Sequence, residues 1–371
     1  MMTDDSFEIF LVTAPGLEDA LCAEAREKGF QDAQSTGGGV TIHGRWPDVW
    51  RANLELRGAA RILARIGSFR AFHLAQLDKR SRKFPWGDVL RPDLPVKVEV
   101  TCKKSKIYHA GAAAQRIEKA ITEELGAPIS QQADVRLKVR IDDNLCTFSV
   151  DTSGESLHKR DHKEAVNKAP MRENLAAMFL RQCGFDGSEP ILDPMCGSGT
   201  FPIEAAEIAL GLNAGRTRSF AFQDLATFDA DVWQEMRSAK PTSAPTIKFY
   251  GSDRDAGAIK MSQANAERAG VAAYTEFQMR SISELEPPEG PKGLVMVNPP
   301  YGARIGNKKL LYGLYGALGK TLLERFSGWR VGLVTSESSL AKATGLPFLP
   351  TGAPIANGGL KVRLFQTKPL K

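Results

Sequence analysis

The chain has 371 residues, 42% of them apolar and 25% charged, with 49 Lys and Arg against 43 Asp and Glu for a formal net charge of +6. That length suits two or three domains of about 150 residues each, and the composition excludes a disordered, fibrous or membrane-embedded polymer. No apolar run reaches membrane length, and the acidic start Met1-Met2-Thr3-Asp4-Asp5 is unlike a secretion signal, so a cytoplasmic protein is expected.

In chain order, Phe7 to Thr13 predicts a strand and Leu17 to Lys28 an amphipathic helix with Leu17, Ala20, Leu21 and Ala25 on one face. Gly37-Gly38-Gly39 leads into an alternating strand at Val40-Thr41-Ile42-His43; a helix over Trp46 to Leu56 and a strand over Arg61 to Phe69 follow. Strand, helix, strand, strand, helix, strand is the ferredoxin-like order, expected over residues 1–70. Past Phe84-Pro85-Trp86 come a strand at Val96 to Val100, a helix at Ala112 to Leu125, and strands at Val135 to Ile141 and Cys146 to Val150, joined by the turn Asp142-Asp143-Asn144. This half reads as two small α+β units without a catalytic constellation, and His43, His73 and His109 are expected to be structural.

Cys22, Cys102, Cys146, Cys183 and Cys196 are odd in number and never spaced Cys-x-x-Cys, which points to a reducing compartment and to no metal site. Basic clusters recur at Lys79 to Lys83, Lys103-Lys104-Ser105-Lys106, Arg136/Lys138/Arg140 and His158-Lys159-Arg160. Lys103, Lys104, Lys159 and Arg160 are expected on phosphates. Residues 152–170 read as a polar linker, with Pro170 opening a helix over Met171 to Arg181.

Ile191-Leu192-Asp193 predicts a short strand delivering an acid into Pro194-Met195-Cys196-Gly197-Ser198-Gly199-Thr200, after which Phe201 to Leu210 is helical. A P-loop would need Lys after Gly199, and a dinucleotide fingerprint would need Gly at Pro202. An acid and two glycines with no cation suit a ligand that carries its own positive charge, such as S-adenosylmethionine. Ile247 to Asp253 predicts the neighbouring strand, with Asp253 placed for the ribose hydroxyls and Asp255 capping a helix over Ala256 to Ala269. The strand Tyr274 to Met279 leads to Ser281, where an acid usually meets adenine, so a water, a backbone group or Glu284 must serve instead. Residues 213–245 exceed a plain crossover and are expected to decorate the surface, while Arg330 to Thr335 and Lys361 to Thr367 complete a mostly parallel sheet.

The buried strand Gly293 to Val297 ends in Asn298-Pro299-Pro300-Tyr301-Gly302. With the glycine loop before it, this resembles the class I S-adenosylmethionine-dependent methyltransferases that modify exocyclic amino groups. Met195, Cys196 and Thr200 then line the cofactor loop with Asp193, Gly197 and Gly199, and Asn298, Pro299, Pro300 and Tyr301 form the catalytic turn. Enzymes that methylate a ring carbon place a cysteine where this chain has Tyr301. More narrowly, Ala14-Pro15-Gly16-Leu17-Glu18, Ser153-Gly154-Glu155-Ser156-Leu157-His158-Lys159-Arg160 and Ala169-Pro170-Met171-Arg172-Glu173-Asn174-Leu175 look like the THUMP-domain RNA methyltransferases. The nearest group is the guanine-N2 methyltransferase of bacterial large-subunit ribosomal RNA.

The resemblance implies an α/β chain: a ferredoxin-like domain over 1–70, a THUMP RNA-binding domain over 71–155, and a Rossmann-like class I methyltransferase domain over 156–371. It implies S-adenosylmethionine as cofactor, structured RNA as partner and a monomer. A tRNA guanine-N2 methyltransferase, an adenine-N6 methyltransferase and a non-catalytic RNA-binding factor stay open. Asp161-His162-Lys163 departs from the family's Gly-Tyr-Arg and Ala303-Arg304 from its usual Glu, which leaves the target nucleotide open. The end at Lys371 leaves room for one methyltransferase domain only.

Overall fold

A computed structural model describes residues 6–164, 171–238, 245–301 and 308–371. They fall into two units, one of Met1–Thr13, Cys22–Leu157 and Arg218–Ala239, the other of Ala14–Leu21, His158–Thr217 and Lys240–Lys371.

The first unit follows the expected order: β1 (Phe7–Val12), α1 (Glu18–Glu27), β2 (Gln34–Thr36), β3 (Gly39–Gly44), α2 (Trp46–Glu55) and β4 (Arg61–Arg70). Its second half holds α3 (Leu74–Ser81), β5 (Val96–Lys103), α4 (Ala110–Glu124), β6 (Val135–Asp142) and β7 (Leu145–Asp151). All seven strands form one sheet in the order β2-β3-β1-β4-β7-β6-β5. The position 70/71, where sequence marks a domain boundary, is the end of β4, whose two edges pair with β1 and β7. Period-two burial fits these strands, with Ile9, Leu11, Val40, Ile42, Ile62 and Ala64 all inside. Between β6 and β7, Asp143 and Asn144 take φ of 48° and 60°, the pair of left-handed residues a two-residue hairpin turn needs.

Residues expected to decorate the surface instead complete this unit's core. Phe222 stacks on Trp50 of α2 at 6.0 Å, and Phe220, Phe228 and Trp233 pack around them. Trp233 sits on α7 (Ala230–Arg237), and Trp50, Phe222 and Trp233 are at most 2% exposed.

The second unit comprises α5 (Glu173–Gln182), β8 (Ile191–Asp193), α6 (Thr200–Ala209), β9 (Phe249–Asp253), α8 (Ala256–Arg268), β10 (Thr275–Met279), β11 (Leu294–Val297), α9 (Lys308–Arg325), β12 (Arg330–Thr335), α10 (Ser338–Ala343), β13 (Ile355–Asn357) and β14 (Leu360–Gln366). Its sheet runs β10-β9-β8-β11-β12-β14-β13, parallel through β12, with β14 antiparallel to both neighbours. The chain winds outward from β8 in both directions, so the crevice beyond the carboxyl end of β8 is the place where such sheets bind ligands. Helix α5 begins at Glu173, and Pro170, expected to start it, lies outside the described residues, as do Gly302, Ala303 and Arg304.

Candidate active site

Four strand ends bring the expected residues together. β8 ends in Asp193, β9 in Asp253 and β10 in Met279, while β11 runs directly into Asn298. The loop from Pro194 to Gly199 closes over the first two. Gly197 and Gly199 have φ of 55° and 80°, values costly for a side chain, and a Cβ on Gly199 would meet the Ser262 Cβ at 3.0 Å. At Gly197 a Cβ would meet nothing within 4 Å, so backbone lines open space there.

Backbone and carboxylates hold this loop from several sides. Met195 N–H donates to Asp193 Oδ1 at 3.0 Å, and Gly197 N–H donates to Asp253 Oδ2 at 3.1 Å. Asp253 Oδ1 accepts from Asp255 N–H at 3.0 Å, so both its oxygens are oriented by the chain. Asp255 caps α8 through Gly257 N–H at 2.8 Å, as expected of it. From α8, Ser262 donates to the Gly197 carbonyl at 2.9 Å and Asn265 to the Ser198 carbonyl at 3.0 Å.

Asp193 is 3% exposed and no described cation pairs with it. Burial pushes its carboxyl up to about 8, with a smaller push from the charge of Asp253, against the Met195 N–H bond. Cys196 is buried 3.7 Å from the Ser262 hydroxyl, and desolvation raises its thiol well above the ordinary range, so it is a small lining residue rather than a nucleophile. Met195 is half-buried against the apolar cluster of this unit. Ser281 caps one helical turn, and its hydroxyl lies 2.8 Å from Glu284 Oε2, which puts that exposed carboxylate at the end of β10.

Asn298 Oδ1 is shut off from solvent and has no hydrogen-bond partner among the described residues. Pro299 is buried, and the Tyr301 ring packs on the apolar cluster of β11, α9 and β12 with its hydroxyl 3.5 Å from Asn357 Nδ2. Tyr315 on α9 has no counterpart in the sequence expectations. It is fully buried, and its hydroxyl lies 3.3 Å from the Pro300 carbonyl and 3.2 Å from Thr335 Oγ1. Lys163 is likewise new: it donates to Thr200 Oγ1 at 2.9 Å and the Met171 carbonyl at 2.8 Å, beside Glu173 at 3.3 Å.

Lys103 and Lys104 are exposed in the first unit, and Lys159 is exposed in the second. Arg160 corrects the reading of its cluster as a phosphate contact. It is 2% exposed and lies 3.3 Å from Glu204 of α6. Helix α6 buries Glu204 and Glu207 among apolar residues, and an unpaired buried carboxylate is costly, so cations turn inward from both sides of it in sequence, Arg160 to Glu204 and Arg216 to Glu207 at 2.6 Å. His162 Nδ1 stands 3.8 Å from Glu207, and burial lowers its pKa. Two acids in an otherwise apolar helix were the sign that a basic residue nearby would turn inward.

His73 and His109 cap α3 and α4, accepting from Gln76 N–H at 3.2 Å and Ala112 N–H at 3.1 Å. His43 pairs with Asp32 at 2.9 Å. Among the described residues no group of His, Cys, Asp and Glu has the arrangement of a metal site, and no helix is long and apolar enough to cross a membrane.

Comparison with known proteins adds two family matches: an RMKL-like methyltransferase domain over residues 160–348 and an RlmL ferredoxin-like domain over residues 8–63. A candidate RNA methyltransferase of Synechocystis sp. is 30% identical over 370 residues, covering 96% of this chain and 95% of the relative. The solved structure of a possible methylase from Clostridium difficile 630 aligns with a TM-score of 0.88 at 29% identity, over 99% of each chain. SMU.472, a methyltransferase candidate complexed with SAH, aligns with a TM-score of 0.86 at 26% identity over 100% of each chain.

Proposed function

The chain belongs to the RMKL-like methyltransferase family, and from that membership we propose that it uses S-adenosylmethionine to methylate the exocyclic N2 of a guanine in 23S ribosomal RNA. The observation that carries the reading is Asn298 Oδ1: a buried acceptor with no donor among the described residues, at the strand end beside the cofactor loop. Such an atom costs roughly 1–3 kcal/mol unless a ligand supplies the donor.

An exocyclic amine supplies it. Its lone pair is delocalised into the base, so it attacks poorly until the nitrogen turns pyramidal. Asn298 accepts one N–H and, with the Pro299 carbonyl accepting the other, holds the nitrogen in that geometry. Tyr315 engages the Pro300 carbonyl and so fixes the turn from behind. Tyr301 offers a ring for the extruded base to stack on.

The residues present fit the cofactor. Gly197 leaves room for close approach, Asp253 has lone pairs left for ribose hydroxyls, and buried Asp193 has among the described residues no positive partner such as an ammonium or sulfonium would be. When bound, the cofactor supplies an already activated methyl group, so the chain's part is orientation and electrostatics. Residues 71–155, as a THUMP domain, and 1–70 would hold the RNA, with Lys103, Lys104 and Lys159 on phosphates.

Transfer of labelled methyl to separated large-subunit rRNA, small-subunit rRNA and tRNA, followed by nucleoside mass spectrometry, tests this. N2-methylguanosine in the large-subunit fraction is expected. The same product in tRNA would move the target, N6-methyladenosine would replace the guanine reading, and no product from any fraction would overturn catalysis.

A further inference from the structure

We infer that a basic and aromatic face of the first unit, centred on Tyr108, stacks the bases of an unpaired RNA segment; the inference rests on the RNA methyltransferase reading and states the form of RNA that this face takes. Tyr108 lies between β5 and α4 and is 83% exposed, so its ring contributes little to the core and the fold gives no reason for it. Phe72, between β4 and α3, is 41% exposed, with Lys106 Nζ 5.6 Å from its ring centre.

The loops carrying these rings are tied into one surface. Ala71 N–H donates to the Asn144 carbonyl at 2.9 Å, Lys106 N–H to Asn144 Oδ1 at 2.9 Å, and Asn144 N–H to Ser105 Oγ at 2.9 Å. The platform is therefore built before any ligand arrives. Lys104 takes a φ of 46°, a conformation that lysine adopts at a cost of about 1 kcal/mol or more. Asp143 and Asn144 beside it occupy the same region for the sake of their hairpin turn.

The charge balance favours a polyanion. Asp142 is 2.5 Å from Arg140 and Asp143 is 3.8 Å from Arg70, whereas Lys103, Lys104 and Lys106 make no ion pair among the described residues. Exposed rings flanked by exposed cations that make no ion pair among the described residues match a strand that offers alternating base faces and phosphates. Inside a duplex the base faces cover one another, so an exposed ring finds a free face only at an open end. An acidic peptide would satisfy the lysines but gives Tyr108 no planar partner.

The test uses the full-length chain and fluorescence anisotropy with three labelled RNAs: a single-stranded hexanucleotide, the same backbone with abasic sites, and a duplex closed by a loop at each end. Tyr108→Ala, which removes an exposed ring and should leave the melting temperature unchanged, is expected to weaken the hexanucleotide roughly tenfold. It should not change binding of the abasic strand. Lys104→Ala should weaken both strands and lower the salt dependence by about one phosphate contact. The inference is overturned if Tyr108→Ala binds the hexanucleotide as wild type does, if wild type binds the abasic strand or the duplex equally well, or if polyglutamate displaces the hexanucleotide at equal concentration. Because binding is measured apart from methyl transfer, those results leave the catalytic reading standing. Absence of transfer to every RNA fraction would remove that reading whatever Tyr108 does.

Discussion

Burial holds the Asp193 carboxyl protonated up to about pH 8 in the absence of a positive partner. A cationic ligand favours the charged form, so binding releases this proton. Its folded pKa is raised, so deprotonation costs less as pH climbs, and cofactor affinity should rise between pH 6 and 8. Calorimetry on the wild type and Asp193→Asn isolates the effect, because the ligand's own titration is common to both. The expected result is a rising wild-type profile relative to a flatter variant; parallel profiles would remove Asp193 from cofactor binding. Tyr301 is argued to act through its face. Tyr301→Phe should keep most of the transfer rate while losing the 3.5 Å hydroxyl contact with Asn357, whereas Tyr301→Ala should lose base capture and rate together. Equal damage in both variants, seen in single-turnover kinetics, would assign the role to the hydroxyl.

At the scale of elements, most strands and helices were legible because periodicity and punctuation agree. β1, β3, α2, β4, α8 and β12 stand within a residue or so of their expected bounds, and the acid-glycine loop and Asn298 turn sit at strand ends as their patterns imply. No expectation covers α9, whose Gly313, Gly316 and Gly319 weaken the helical pattern. The structure shows that these glycines differ. A Cβ at Gly319 would stand 1.7 Å from the Thr344 carbonyl oxygen, so this glycine lets the segment after α10 pack against α9. Gly313 is exposed with nothing within 4 Å. Gly319→Ala should lower the melting temperature, and Gly313→Ala should raise stability by up to about 1 kcal/mol. Equal effects from the two in thermal melts would contradict this packing. Tyr315 lies on the same helix, and its hold on the Pro300 carbonyl, a contact between distant positions, has no local sequence signal.

For the whole molecule, the illegible part was long-range. Nothing local shows that Phe220, Phe222, Phe228 and Trp233 pack on Trp50, some 170 positions earlier by rough count, or that Arg160 turns inward to Glu204. The first unit therefore takes sequence from the middle of the methyltransferase half. A fragment ending at Leu157 lacks that aromatic cluster, and losing even one such buried ring costs about 3–5 kcal/mol. It should melt broadly and bind a hydrophobic dye, and RNA binding belongs on the intact chain. A sharp, dye-free melt of the fragment would show that residues 218–238 are dispensable to the fold.

The central claim is that Asn298 accepts an N–H from the nitrogen being methylated, a contact that strengthens as that nitrogen turns pyramidal. It belongs to the transition state more than to binding. Single-turnover methyl transfer by the intact chain and by Asn298→Ala, at saturating cofactor and large-subunit rRNA, measures this directly. The account predicts a rate lower by roughly a hundredfold or more, about 2.7 kcal/mol, with RNA and cofactor affinities close to wild type. A rate within a few fold of wild type, or a loss confined to RNA affinity, would contradict it.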